Sequence, residues 1–217
     1  MLSFIEKYAV DLEAIGAEPP PAPRWDQDWF PRLDAAAAYA MVRTLRPRRI
    51  VEVGSGHSTR FLARAVADGG LDTKITAIDP RPRARITGLP VEWLQTHVET
   101  LDWRPFSALG PGDILFIDSS HQCKPGGDVD FLLTEVIPRL PAGVRVHFHD
   151  IFLPDGYPGQ WAWRHYDEQQ AVARLLDQGV FRMDFSSHQT PKSFSGLLRR
   201  LPLLPGAVES SLWLTKR

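Results

Sequence analysis

One segment, residues 50–59, constrains the fold of this chain more than any other: an apolar run passes into the glycine-rich stretch EVGSGHST. The apolar run predicts a strand, and the residues after the glycines predict the start of a helix. A glycine turn at such a junction lets a ligand approach the backbone, and a helix N-terminus attracts its negatively charged groups. The segment therefore predicts a site for a nucleotide-like ligand.

A second acidic strand end follows at Asp79, after the apolar run 74–78. A carboxylate at the tip of the second strand, about 20 residues past the glycine turn, is the position that binds ribose hydroxyls. The dinucleotide pattern G-x-G-x-x-G/A is incomplete, because Thr59 stands at its third small position. Together these residues predict an adenosine-containing cofactor. An NAD-dependent enzyme remains a weaker alternative.

The run from Glu52 to Thr59 resembles the first motif of class I S-adenosylmethionine-dependent methyltransferases, E/D-x-G-x-G-x-G, with Ser58 in place of the last glycine. It is similar to the small-molecule methyltransferases whose motif has the form E-x-G-x-G-x-S-T. The resemblance covers residues 45–217 and implies S-adenosylmethionine as cofactor, with its methionine part near the first acidic residue. It also implies a small-molecule acceptor that is methylated at oxygen. The expected cofactor-binding residues are Glu52, Gly54, Ser55, Gly56, Ser58, Asp79, Asp118 and Ser119.

Composition excludes several other classes. The formal net charge is −1 and the basic residues are spread along the chain, so no footprint for nucleic acid is expected. Cys123 is the only cysteine, which excludes an internal disulfide and fits a reducing compartment. No run of about 18 apolar residues and no signal-peptide pattern occurs. We therefore expect a cytoplasmic protein without a membrane partner.

Apolar strand patterns alternate with helical ones along the chain, which predicts an α/β fold with a doubly wound, mostly parallel sheet. A helix is expected over residues 33–45, and a short one over 2–15. Asp128 is expected to cap one later helix, and Asp167 with Gln170 another. The family resemblance implies seven strands in a Rossmann-like sheet, the last antiparallel and inserted as part of a hairpin. We expect an N-terminal helical and linker segment, 1–33, and a cofactor-binding domain, 34–217.

Four chemically capable side chains follow two of the predicted strands. Asp118 ends the fourth strand with His121 in the loop beyond it, and His149 and Asp150 end the fifth. Adjacent strands lie about 4.8 Å apart, so the two carboxylates are expected to share one ion or one proton. His121 is the expected general base, because an unperturbed histidine pKa of about 6.5 suits proton removal at neutral pH. All four residues are candidate catalytic residues.

A divalent metal is an open alternative at this place. In catechol O-methyltransferase-like enzymes, one Asp after strand four and an Asp-Asn pair after strand five hold magnesium. Asp118 and Asp150 match that pattern by position, whereas His149 departs from it because magnesium prefers oxygen ligands. A set of Asp118, His149 and Asp150 would better suit iron, manganese or zinc. A metal-dependent, hydroxylase-like enzyme and a non-catalytic cofactor-binding or assembly protein therefore also remain open.

Three further segments are candidates for the surroundings of the site. The Pro/Gly/aromatic stretch 151–163 is expected at the mouth of the site, as a substrate lid or as packing. The N-terminal aromatics Trp25, Trp29 and Phe30 could cap the same site. The leucine-rich segment 192–209 is insertion-like, and a homo-oligomer contact or a lid is expected there. His57 is a further candidate for ligand contact, and His147 is expected in the core.

Overall fold

The computed structural model describes residues 2–190 and 196–217. In this part of the chain seven strands form one sheet in the order β3-β2-β1-β4-β5-β7-β6. The strands β1 to β5 are parallel, and β7 lies antiparallel between β5 and β6. The predicted fold class, with its inserted last strand, is therefore confirmed. The strands are β1 (Arg49–Val53), β2 (Lys74–Ile78), β3 (Glu92–Leu94), β4 (Ile114–Ile117), β5 (Arg145–Phe148), β6 (Phe181–Ser186) and β7 (Leu212–Lys216).

Helices cover both faces of the sheet. They are α1 (Leu2–Lys7), α2 (Ala9–Glu13), α3 (Arg32–Leu45), α4 (His57–Asp68), α5 (Asp128–Phe131), α6 (Glu168–Asp177) and α7 (Leu197–Arg200). A π turn (Leu132–Val136) and a 3₁₀ turn (Ile137–Arg139) continue α5, and two more 3₁₀ turns span Val98–Thr100 and Gly159–Arg164. None of the helices in the described ranges combines the length and the hydropathy of a membrane span.

The side chains of the central strand β4 pack alternately into the two layers that cover the sheet. Ile114 and Phe116 pack with α3, α4 and the N-terminal segment, whereas Leu115 and Ile117 pack with the opposite layer. All four residues are buried. Successive side chains of a strand point to opposite faces of the sheet. An unbroken apolar run is therefore buried completely only when both faces are covered. The sheet edge at the carboxyl ends of the strands is thereby left for loops.

Three local predictions were wrong in detail. The expected helix over 2–15 is divided at Tyr8 into α1 and α2. Asp128 does not cap α5, because its carboxylate accepts hydrogen bonds from the backbone and hydroxyl of Ser120 instead. Asp167 forms no side-chain cap on α6, since its carboxylate accepts a hydrogen bond from the backbone of Cys123. For both Asp128 and Asp167, a hydrogen bond with the loop after β4 thus replaces the expected cap of the helix N-terminus.

The N-terminal segment shares its core with the rest of the molecule. The indole of Trp25 donates a hydrogen bond to the carbonyl of Leu12 at 3.2 Å and packs against Phe61. Phe30 lies edge-on to Phe116 of β4, with ring centres 5.7 Å apart. Residues 24–30 therefore run over the sheet toward the carboxyl ends of its strands. The division of the chain at residue 33 remains a prediction.

The segment 192–209 lies partly outside the described residues, because 191–195 are not among them. Leu197, Leu198 and Leu201 are buried in the same core as the N-terminal helices. The carboxylate of Glu6 accepts a hydrogen bond from the backbone of Leu197 at 2.9 Å. Most of the described leucines of this segment thus pack inward, and the homo-oligomer contact remains a prediction.

Candidate functional site

A cavity of about 490 Å³ opens at the carboxyl ends of the parallel strands. It is formed by the loops that follow β1, β2, β3, β4 and β5, and its size lies within the usual range for a small-molecule site, about 300–1,000 Å³. The lining comprises residues 53–58, 78–83, 97–99 and 118–121, with Trp29, Phe30, Asp128, His149, Asp150, Arg164 and Tyr166. The position is that expected for ligands in doubly wound sheets.

The glycine turn is shaped by strand packing as well as by access for a ligand. Gly54 has φ +79°, and a Cβ there would lie 1.8 Å from the carbonyl oxygen of Asp118. No side chain fits without moving the end of β4. Gly54 therefore lets the ends of β1 and β4 approach each other and brings Asp118 to the edge of the turn. This requirement adds to the backbone access that the motif predicted.

Glu52 lies beneath the turn, buried, and is not part of the cavity lining. Its two carboxylate oxygens accept hydrogen bonds from the hydroxyls of Ser58 and Thr59, each at 2.6 Å. Burial raises the pKa of Glu52 to about 8, although these two hydrogen bonds favour the charged form. The first acidic residue of the motif thus fixes the turn to the start of α4, while Ser58 faces the cavity.

Asp79 joins the tip of β2 to the glycine turn. One oxygen accepts hydrogen bonds from the backbone and hydroxyl of Ser55, at 2.6 and 3.1 Å, and the other accepts one from the backbone of Arg81 at 2.7 Å. A carboxylate oxygen has two lone pairs, so capacity for a ligand hydroxyl remains. Asp79 also lines the cavity, as the spacing of the motif predicted.

Four buried polar atoms of the lining have no hydrogen-bond partner within the described chain. They are Nδ1 of His57, Oε2 of Glu99, Oγ of Ser119 and Nε of Arg164. A buried polar atom without a partner costs about 1–3 kcal/mol, so partners from a ligand are expected. Burial, together with the charges of Arg60 and Arg24, lowers the pKa of His57 to about 4, so its ring is neutral at pH 7.

The four predicted catalytic residues meet at one end of this cavity. Nε2 of His121 lies 3.3 Å from Asp118 Oδ1 and 3.6 Å from Asp150 Oδ2. Nδ1 of His149 lies 3.3 Å from the same Asp118 oxygen and 3.5 Å from Asp150 Oδ1. The Asp118 side chain is 26% exposed, whereas the other three are at most 9% exposed. Asp118 is therefore the part of this cluster that a ligand reaches most easily.

Two further carboxylates fix the outer nitrogens of the imidazoles. Glu168 lies 2.9 Å from Nδ1 of His121, and Asp34 lies 3.2 Å from Nε2 of His149. His121 and Asp150 have φ values of +60° and +55°, which are rare for residues with side chains. Such strain costs about 1–3 kcal/mol and is concentrated at functional sites. The fold thus holds this cluster in place from both ends.

Electrostatics alters the role expected of His121. Burial opposes its charge, but hydrogen bonds to Asp118 and Glu168 and the charge of Asp150 raise the pKa of His121 well above 6.5. Burial likewise opposes the charge of His149, whereas the charges of Asp118 and Asp150 raise its pKa. The expected pKa near 6.5 for His121 was therefore wrong, because the sequence did not show its three carboxylate neighbours.

The same arrangement bears on the predicted metal ligands. Among residues 2–190 and 196–217, no three His, Cys, Asp or Glu side chains are arranged to hold a metal ion. Asp118 and Asp150 instead each lie at ion-pair distance from Nδ1 of His149. His147 is buried in the core, as predicted, and its ring stacks on Phe116 with centres 3.7 Å apart.

Some aromatic residues at the mouth of the cavity pack within a loop, and others line the cavity. Within the loop 151–163, Phe152 packs edge-on against Trp161 at 5.2 Å, so these rings stabilise the loop. Trp29 and Phe30 line the cavity, and the guanidinium of Arg83 lies 4.2 Å from the ring centre of Trp29. The N-terminal segment therefore contributes to the site. Sequence analysis missed Arg83, residues 97–99, Arg164 and Tyr166 as lining residues, because no local motif marks them.

Comparison with known proteins gives one matching family and several solved structures of similar fold. Residues 51–151 match a family described as a methyltransferase domain. The SAH-bound methyltransferase PaMTH1 of Podospora anserina has a TM-score of 0.56 and 17% identity, covering 99% of this chain and 88% of that one. An SAH complex of an O-methyltransferase from Bacillus cereus has a TM-score of 0.53 and 15% identity, covering 99% and 91%.

Cofactor-bound Rv0187 from MTB also has a TM-score of 0.53, with 17% identity, and covers 98% of this chain and 88% of that one. At such identities the likeness concerns the fold. No curated protein matches the sequence.

Proposed function

We propose that this chain acts as a class I S-adenosylmethionine-dependent methyltransferase, as its glycine motif predicted, and that it methylates an oxygen atom of a small molecule. One observation carries the proposal. A single cavity holds the cofactor-type turn at one side and the buried acid–histidine cluster at the other. A donor and an acceptor bound there would lie side by side, which is the main requirement of a displacement reaction.

The lining residues fit the cofactor. The turn 54–58, Asp79 and Ser119 would hold it, and the unpartnered atoms of His57, Glu99 and Ser119 offer further hydrogen bonds. Bound S-adenosylmethionine supplies a sulfonium methyl group as the electrophile. The chain itself has to orient the acceptor, take up its proton and exclude water.

Proton uptake falls to a carboxylate in this proposal. Both nitrogens of His121 already lie at carboxylate oxygens, so its ring offers no free lone pair. Asp118 is the most exposed carboxylate of the cluster and would accept the hydrogen bond of the acceptor hydroxyl. Burial opposes its charge, but the charges of His149 and His121 and their hydrogen bonds hold the pKa of Asp118 well below its ordinary value. Asp118 would therefore take up the substrate proton only during methyl transfer and release it to water. His121 and His149 would hold Asp118 in position and balance its charge. Trp29 and Phe30 would shield the reacting atoms from water.

A divalent metal at Asp118, His149 and Asp150 is the second form of the proposal. It is supported by the carboxylate of Asp34, which lies 3.2 Å from Nε2 of His149, since metal-binding histidines are usually oriented by such partners. The present arrangement of the described residues does not fit a metal, because both carboxylates pair with Nδ1 of His149, the nitrogen that would bind the ion. We therefore derive no step through a metal.

The test uses the purified protein, S-adenosylmethionine and a panel of small phenols and hydroxy acids. Formation of S-adenosylhomocysteine with at least one acceptor is the expected result. Turnover that persists after chelation, with no stoichiometric metal in the protein, supports the metal-free form. Tight metal retention without methyl transfer would favour a hydroxylase-like enzyme, and cofactor binding without turnover a binding protein.

A further inference from the structure

We propose that Arg164 binds a carboxylate group of the methyl acceptor, so that the substrate is a small hydroxy acid. The inference rests on the proposed function, because it identifies the acceptor part of the same site. It starts from a second, smaller cavity of about 100 Å³ that adjoins the first. Both cavities are lined by Trp29, His149, Asp150 and Arg164. Arg164 thus stands where a molecule lying against the cluster would extend away from the cofactor.

Most hydrogen-bonding capacity of Arg164 is unused. A guanidinium has five N–H donors. In the described chain its side chain makes one hydrogen bond, from Nη1 to the hydroxyl of Tyr166 at 3.3 Å. Its Nε is buried and has no partner, and only 21% of the side chain is exposed. Because unpaired donors are costly in such a place, a ligand acceptor is expected, and a carboxylate matches the guanidinium fork.

Surrounding contacts hold the guanidinium in a fixed place. It lies over Trp161 at 4.1 Å from the ring centre, with Trp163 and Tyr166 at 5.3 and 5.5 Å. The side chain of Gln122 donates a hydrogen bond to the carbonyl oxygen of Arg164 at 2.7 Å, which ties this residue to the loop after β4. A preordered cation loses little freedom on binding, which favours recognition of an anion.

Neutralisation of Asp150 is the competing role for Arg164. The distance from Arg164 Nη1 to Asp150 Oδ2 is 3.9 Å, which is too long for a hydrogen bond. Asp150 has nearer partners, since His121 and His149 lie 3.6 and 3.5 Å away and the hydroxyl of Ser210 donates to it at 3.0 Å. The carboxylate of Asp150 therefore does not need Arg164, and the arginine remains available to a ligand.

The experiment compares two probes that differ in one charge, 4-hydroxybenzoate and 4-hydroxybenzamide. Their affinities are measured by calorimetry on the protein saturated with S-adenosylhomocysteine, for wild type, Arg164→Gln and Arg164→Lys. We expect wild type to prefer the benzoate by about ten- to a hundredfold, the range of a hydrogen bond to a charged group. Arg164→Gln should abolish this preference, and Arg164→Lys should retain part of it. Arg174→Gln, an exposed arginine on α6, is the matched control and should behave as wild type.

Several outcomes would overturn the inference. One is a wild-type protein that binds neither probe, or that binds both equally. The Arg164→Gln variant would also overturn the inference if it kept the preference for the benzoate. An equal loss of both probes in Arg164→Gln would show that Arg164 only supports Asp150. S-adenosylhomocysteine affinity should stay within twofold in all variants. Failure of the wild type to bind S-adenosylhomocysteine would instead contradict the proposed function, and the two probes would then be compared without nucleotide.

Discussion

Replacing Glu52 by glutamine should remove a large loss of stability that the wild-type protein undergoes between pH 4.5 and about 8. The folded-state pKa of about 8 lies above the ordinary 4.5 because the carboxyl group is buried. The folded protein therefore keeps this proton while the unfolded chain releases it. The corresponding stabilisation is fully present below pH 4.5 and is lost as the pH rises to about 8. At about 1.4 kcal/mol per pH unit, the loss in the free energy of unfolding amounts to about 5 kcal/mol.

Urea unfolding at pH 5, 6, 7 and 8 measures this loss directly. The free energy of unfolding of Glu52→Gln, relative to wild type, should rise steadily over this range, by up to about 4 kcal/mol. Glutamine can still bond the hydroxyls of Ser58 and Thr59, so the turn should persist. Glu92→Gln, at an exposed glutamate of β3, is the matched control and should leave the pH dependence unchanged. Parallel pH profiles for wild type and Glu52→Gln would refute the reasoning.

Two further predictions concern the turn and the cluster. Gly54→Ala should destabilise the fold by about 3–5 kcal/mol, since its Cβ would lie 1.8 Å from the carbonyl oxygen of Asp118. The control Gly112→Ala, at φ +87° with open space around it, should cost about 1 kcal/mol. Equal melting temperatures for the two variants would contradict this prediction. Asp118→Asn should slow methyl transfer, measured by single-turnover kinetics, by about 10²–10⁴-fold. Its affinity for S-adenosylhomocysteine, measured by calorimetry, should be unchanged. A rate within about threefold of wild type would exclude Asp118 as proton acceptor.

Features encoded by neighbouring residues could be predicted from the sequence. The buried strand β4 is an unbroken apolar run, and the glycine turn is a contiguous motif. The meeting of Asp118 and Asp150 could also be predicted, because each follows a strand and parallel strands end at one edge. These inferences need only parallel strands, which the alternation of strands and helices indicates.

Features that depend on distant contacts could not be predicted in this way. The pKa of His121 is set by Glu168, which is 47 residues away in sequence, and His149 is fixed by Asp34 on α3. The capping roles expected of Asp128 and Asp167 failed for the same reason, since the loop after β4 takes both carboxylates. Arg164 carries no motif, and only its position between two cavities marks it.

Calorimetric titration with S-adenosylhomocysteine and with NAD tests the central claim most directly, namely that this cavity holds the methyl donor. We predict one site of micromolar affinity for S-adenosylhomocysteine and none for NAD. Asp79→Ala should weaken the binding by about 1–3 kcal/mol, because the ribose hydroxyls lose a charged partner. Binding of NAD without binding of S-adenosylhomocysteine would contradict the account.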